Sequence, residues 1–479
     1  MKIENFNHMV VARKIAYNVL VSTVTKVLST ILALVAIGFI TRYLGKEGFG
    51  NYATVLAFLS FFAAIADLGL YFIATREISR EGADEEHILG NIFAIRLVSS
   101  AVVFIASPLV VYFFDYPAEV KRGIIIAAAS FMFSSSYQIL NGVFQKNLAM
   151  DKVAVSELVG KMTQVIFVIG AIKLKLGFDW IMVALLVNMM VNFGVIYFLI
   201  KKYITIKLQF DFVYWKGFLR ESLPMGIAAV ISFVYFKMDT ILLSVMKSSA
   251  EVGIYNVAYK VLENITFFPA MIVGLVMPIM AKNIFSDRER FMDVSNKTLK
   301  VFFLLIVPLI VGVSFLADDI IQLIGGSGFF EAGGVLRILV FALALIFFGQ
   351  LFNTILIVGN LQKKLMWILG GVAIFNIGAN LLFIPTYSYI ASSYISVITE
   401  FLVVLLTGYV VIVEIKYLPQ TKGFLKILGA GLLMAVFLYV FKNLNFFLLA
   451  ASSSGIYFVC LWLLKAVETE ELTSLIRKN

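Results

Sequence analysis

Charge is scarce in this chain. Only 14% of its 479 residues are Asp, Glu, Lys or Arg, against about 25% in an ordinary soluble domain. With 61% apolar residues and a mean hydropathy of +0.97, this shortage excludes a water-soluble enzyme and a disordered chain. Neither could hide or tolerate so much apolar surface. Cys460 is the sole cysteine, so a disulfide scaffold is excluded. Two histidines leave no Cys/His set for a metal. Proline is rare, at 8 residues, and no collagen-like period exists. Long polar segments are missing as well, which leaves no place for a catalytic domain. No nucleophile–base pair, metal motif or phosphate-binding loop is present. The expectation is a protein that is not an enzyme and needs no cofactor.

What is present is apolar length. Fourteen stretches stand out, at 15–40, 52–74, 89–114, 122–145, 154–173, 178–200, 223–246, 254–280, 299–323, 334–358, 365–385, 390–413, 425–441 and 446–464. A spanning helix takes about 20 residues. The stretches lack the alternation of a spanning β-strand. The predicted fold is therefore all-α: a polytopic membrane protein of about 14 transmembrane helices. The first stretch is not a cleavable leader, since Lys26 sits in its middle and no small-residue cleavage pattern precedes Arg42.

Basic residues set the orientation. With the N-terminus inside, the inside segments hold most of the 39 Lys and Arg. The richest are the connections after the sixth stretch (Lys201, Lys202, Lys207, Lys216, Arg220) and after the eighth (Lys282, Arg288, Arg290, Lys297, Lys300). The expected place is the cytoplasmic membrane, with both termini cytoplasmic. The net charge of +10 reads as a topology signal and an attraction to anionic lipid. Spread over short loops, it offers no recognition helix for nucleic acid.

The halves of the chain echo each other. Gly45–Tyr52 and Ser249–Asn256 are both outside connections that re-enter through Gly-x-Tyr. Asn141–Phe144 and Asn353–Leu356 both precede basic inside loops. Parallel repeats predict two six-helix lobes, 1–200 and 223–415, joined by an amphipathic cytoplasmic linker at 201–222. Two further helices and a tail follow at 416–479. Cargo sites in such proteins lie near the repeat interface.

Ionisable residues inside apolar helices are expensive and point to wet interiors. The cationic set is Lys26, Arg96, Lys161, Lys237, Lys260 and Arg337; the anionic set is Asp67, Asp239, Glu263 and Glu400. Asn18, Ser22, Tyr235, Asn256, Asn376 and Asn380 supply neutral lining on the same helix faces. The cationic excess suits a phosphate-bearing or acidic-sugar cargo. Competing structural roles are plain: Glu157 and Arg337 lie near stretch ends, where long side chains snorkel, and Lys260 is spaced i, i+3 from Glu263. Pro269, Gly274 and Pro278 mark the eighth stretch for a kink, static or mobile.

Several motifs in this order carry a resemblance. They are Arg42-Tyr43-Leu44-Gly45-x-Glu47-Gly48-Phe49-Gly50-x-Tyr52, then Asp67-Leu68-Gly69-Leu70, then Lys237–Leu243 followed by Val252–Tyr255, then Asn376-x-x-x-Asn380 with Leu381–Pro385, and Ser396–Glu400. Together the chain resembles the polysaccharide-biosynthesis flippases (Wzx-type) of the multidrug/oligosaccharidyl-lipid/polysaccharide exporter (MOP) superfamily. The resemblance implies a MATE-like fold of two six-helix lobes. It implies a cargo of oligosaccharide on undecaprenyl pyrophosphate or a related polyprenyl carrier, moved by alternating access for cell-surface polysaccharide such as O-antigen. It also implies membrane lipids as surroundings, H⁺ or Na⁺ as coupling ion, and glycan polymerase or glycosyltransferase partners. MurJ-type lipid II flippases are cousins with two extra C-terminal helices forming a lipid-tail groove, the place taken here by 425–441 and 446–464. Their particular arginine set is absent from the first three stretches, where only Arg96 and Lys26 could serve similarly, which argues against lipid II as cargo. A MATE-like multidrug antiporter is the alternative, but a site for organic cations calls for net acid.

Overall fold

In a computed structural model, every regular element is helical among the described residues, which are 2–80, 82–420 and 423–466, with side chains described from 21 onward except at 72, 228 and 232. The elements are α1 (Lys2–Asp67), α2 (Leu70–Ile78), α3 (Glu85–Val110), α4 (Ala118–Lys146), α5 (Met150–Lys173), α6 (Phe178–Ile200), α7 (Phe212–Met246), α8 (Ser249–Ile265), α9 (Phe267–Asn283), α10 (Arg288–Gly325), α11 (Ala332–Val358), α12 (Gln362–Val410), α13 (Phe424–Val440) and α14 (Phe446–Leu463).

Two of these helices are hairpins. α1 breaks at Gly45, whose φ of 68° and ψ of −173° suit glycine and almost nothing else. The leg 21–44 runs along α5, from Lys26 beside Glu157 to Tyr43, whose Oη accepts from Gly177 N at 2.9 Å. The leg 46–67 returns along α4, from Asn51, which donates to Glu119 at 3.1 Å, to Asp67 beside Arg96. α12 breaks at Ser388, with φ 52°. Its rungs are Asn380 with Ser392 (3.0 Å), Asn376 with Thr399 (3.2 Å) and, beyond the helix, Lys364 with Glu414 (2.6 Å).

Ten helices among the described residues are long and apolar enough to cross a membrane, eleven with α7, which bends by 44° between Ile231 and Phe233. α1 and α12 are each one of these and each hold two of the apolar stretches. α13, of 17 residues, is about 25 Å long, slightly short of a hydrocarbon core of about 30 Å. With it, all fourteen apolar stretches are accounted for. The second and the eighth are divided: α1 stops at Asp67 and α2 starts at Leu70, and α8 stops at Ile265 and α9 starts at Phe267, just before Pro269, which has no N–H for the carbonyl four residues back.

The chain forms two compact units, 1–253 and 254–479. In the first, Leu70, Ile73, Phe93, Ile139, Phe144 and Ile200 are among the side chains of a buried core. The connection after α6 is clasped by the fully buried Asn91, whose Oδ1 accepts from Asp211 N at 2.8 Å and from Trp215 Nε1 at 3.0 Å. Asp211 caps α7 through Val213 N and Tyr214 N, so 212–222 extends that helix. Phe210, Phe212 and Val213 remain exposed, as in an interfacial segment. In the second unit, α13 and α14 leave Leu425, Leu432, Phe447, Phe458 and Trp462 exposed, the surface of a helix pair solvated by lipid.

Candidate functional site

The turn Asp67-Leu68-Gly69 carries the carboxylate that meets a buried cation of the first unit. Leu68 and Gly69 take positive φ, which ends α1 and starts α2. Asp67 Oδ2 accepts from Gly69 N at 3.2 Å, and Oδ1 faces Arg96 on α3 at 3.2 Å. The Arg96 side chain is 1% exposed. Its remaining donors reach the Ser135 carbonyl (2.9 Å), the Ala66 carbonyl (2.9 Å) and Gln138 Oε1 (3.0 Å). One guanidinium thus ties α1 and α3 to α4. A buried charge persists only with this degree of partnering. Four of its contacts are protein oxygens, so its geometry is that of a clasp.

Lys26 is placed differently. Its side chain is 38% exposed although it lies in an apolar leg of α1, and Nζ sits 3.4 Å from Glu157 on α5. Glu157 also accepts from Tyr137 Oη of α4 at 2.9 Å. Ser22 and Ser29 lie on the same face of α1, and their hydroxyl oxygens are buried without a hydrogen bond among the described residues. Asn18 belongs to α1 but falls outside the residues whose side chains are described.

Glu157, Lys161 and Gln164 form one stripe in sequence, yet the structure splits it. Lys161 and Asn188 of α6 both donate to Gln164 Oε1, at 3.1 and 3.0 Å, while Glu157 faces α1. Ser156 donates to Asn192 Oδ1 at 2.6 Å. Asn188 and Asn192, four apart on α6, were the available signal for this seam and were not singled out in the sequence. On α7, Tyr235 and Asp239 are buried and Lys237 is half-buried.

In the second unit, neutral groups join the two legs of α12. Asn376 donates to Thr399, Asn380 donates to Asn376 Oδ1 at 3.2 Å, and Ser392 donates to Asn380 Oδ1. All four are buried, with Glu400 at 7% and, on α8, Asn256 at 4% exposure. Tyr255 and Ser396 share a hydrogen bond of 3.2 Å. Lys260 pairs with Glu263 at 2.7 Å, the local pair its spacing predicts. Arg337, near the start of α11, is bound to Asp318 at 2.5 Å and to the Ser314 carbonyl at 3.2 Å, with 40% of its side chain exposed, as an end-of-helix anchor would be.

With the fold in place, the family follows from a match across the first four-sevenths of the chain. The polysaccharide biosynthesis protein family matches residues 15–284. The chain belongs to this family. It is 20% identical over 312 residues to a probable low-salt glycan biosynthesis flippase, Agl15, of Haloferax volcanii, covering 64% of either protein. The chain therefore spans a little under two thirds of that relative's length. Among solved structures, its fold is that of a lipid II flippase, MurJ, in an inward closed conformation. The TM-score is 0.75 at 17% identity, covering 96% of this chain and 100% of that one. It also resembles an inward-facing multidrug resistance MATE transporter of the MOP superfamily, with a TM-score of 0.64 at 15% identity over 82% of this chain and 97% of that one. This polysaccharide biosynthesis protein is thus a multi-pass membrane protein with a MurJ/MATE-like fold.

Proposed function

We propose that this protein flips a lipid-linked oligosaccharide, carried on undecaprenyl pyrophosphate or a related polyprenyl carrier, across the cytoplasmic membrane for cell-surface polysaccharide assembly. The observation that carries the reading is Lys26: a cation in mid-span that keeps more than a third of its side chain exposed. A charge exposed to hydrocarbon would cost several kcal/mol, so this face of α1 opens on water. In this reading Lys26, Lys161, Lys237 and Lys260 meet the anionic cargo by charge-assisted hydrogen bonds, while Arg96 and Arg337 hold the fold. Asp239, Glu263 and Glu400 are the carboxylates proposed to couple the cycle to H⁺ or Na⁺. Asp67 is committed to Arg96.

The lobes 1–200 and 223–415 are the proposed moving bodies of an alternating-access cycle. Both termini lie on the cytoplasmic side, where glycosyltransferases supply the cargo and a polymerase receives it outside. The test is surface glycan in a deletion strain complemented with the parent or with Lys26→Ala. Restoration by the parent and loss by the variant at equal membrane abundance is the expected result. Drug resistance conferred by the parent without any effect on glycan would assign the multidrug alternative instead.

A further inference from the structure

The second unit holds a basic pocket that the transport reading does not use. It has a volume of about 560 Å³ and lies where the first turns of α10 meet the start of α13 and the end of α14. Its charged lining is Lys297, Lys300, Lys426 and Lys465 against Glu289 and Asp293, an excess of two positive charges. Asp293 is further neutralised by Arg290, 3.6 Å away, besides its 3.0 Å contact with Lys297. Lys426 Nζ donates to the Lys465 carbonyl at 3.2 Å, which fastens both lysines to one rim. No side chain caps α13 among the described residues, and its Gly423 N-cap lines the pocket, so the positive end of that helix adds to the field.

The surroundings decide what such a pocket would take. Leu425 and Leu428 flank Lys426, and Trp462 and Leu463 precede Lys465. All four are exposed, Leu425 at 84% and Trp462 at 73%. A basic recess on helices whose next residues in the chain are exposed and apolar is complementary to a phosphate attached to hydrocarbon. A free anion would use only the recess.

We propose that this pocket binds the phosphate headgroup of an anionic lipid, whose chains lie against α13 and α14. The inference rests on the proposed topology, which puts these helix ends at the inner surface, where anionic lipid concentrates.

The experiment is native mass spectrometry of the full chain, delipidated in detergent and titrated with phosphatidylglycerol, phosphatidylcholine or inorganic phosphate. Phosphatidylglycerol should be retained over phosphatidylcholine. The pair Lys426→Gln/Lys465→Gln should weaken that retention about tenfold, and Lys426→Arg/Lys465→Arg should preserve it. Lys297→Gln/Lys300→Gln should weaken it from the other wall, which guards against a variant that simply misfolds. Inorganic phosphate that displaces the lipid supports the same phosphate chemistry. Inorganic phosphate that binds while phosphatidylglycerol gains nothing over phosphatidylcholine overturns the lipid as its source. Equal retention of both lipids, or retention indifferent to all four lysines, overturns the proposal. A deletion strain with normal surface glycan would remove the transport reading and leave this result standing.

Discussion

The two units handle buried polarity in opposite ways. In the first, charges meet across helices far apart in sequence: Asp67 with Arg96, and Lys26 with Glu157. In the second, Lys260–Glu263 is one turn apart on α8, Arg337–Asp318 joins the neighbouring helices α10 and α11 near their ends, and buried amides and hydroxyls join the two legs of α12. A further contrast lies inside the first unit. Arg96 meets four protein oxygens, whereas Lys26 keeps an exposed face. Membrane-embedded charge is therefore not one category: a side chain 1% exposed acts as a clasp, and one 38% exposed leaves a surface for the proposed cargo.

The clasp can be broken most severely. Asp67→Asn should leave the buried guanidinium without its counter-charge and destabilise the protein by about 3–5 kcal/mol. Thermal unfolding in detergent, followed by size-exclusion chromatography, would show it as a large drop in midpoint and yield. The double variant Asp67→Leu/Arg96→Met, which removes both charges, should recover much of the loss. An Asp67→Asn protein as stable as the parent would end the distinction between clasp and contact.

Gly69→Ala comes next. Gly69 has φ of 71°, and a Cβ there would press on Ser222 O, Met225 Cβ and Gly226 N, all under 3.0 Å. Gly45→Ala meets nothing within 4 Å and should show only the backbone strain, about 1–3 kcal/mol. Gly69→Ala should therefore lower the unfolding midpoint more than Gly45→Ala. Equal effects would mean that the approach of the α1–α2 turn to α7 contributes nothing.

These glycines also show how far the chain could be understood before its structure. Composition and apolar length were enough for the helices, because lipid imposes one periodic, local requirement on each crossing. Both hairpin turns fell between adjacent apolar stretches and were legible for that reason. Partners were not. Lys260–Glu263 could be paired from spacing, but nothing local links Asp67 to Arg96 or Lys26 to Glu157. The stripe Glu157–Lys161–Gln164 shared a face in sequence and then divided between α1 and α6. The basic pocket was scattered over three inside segments, each readable only as a topology signal.

The amide ladder offers a smaller effect. Asn380→Leu removes the donor to Asn376 and the acceptor for Ser392, and interhelical hydrogen bonds in membranes are individually modest, at about 0.6–1.7 kcal/mol. A midpoint shift of a few degrees, well below that of Asp67→Asn, is expected. A shift as large as the Asp67→Asn one would show that neutral contacts hold the second unit as firmly as charge holds the first.

Lys26→Gln should move stability least and function most. An ion pair with partners 38% and 28% exposed contributes about 0–1 kcal/mol, so unfolding should barely change. Transport should fall sharply, because the charge that would meet a pyrophosphate is gone while its hydrogen-bonding capacity is only partly kept. Lys26→Arg should restore glycan export, since a guanidinium serves the same anion. Glu157→Gln isolates the pair from the cargo role: it frees Lys26 of its counter-charge and keeps Tyr137 supplied with an acceptor. If Lys26 serves only to satisfy Glu157, both substitutions should impair export alike. If Lys26 meets the cargo, Glu157→Gln should leave export largely intact while Lys26→Gln abolishes it.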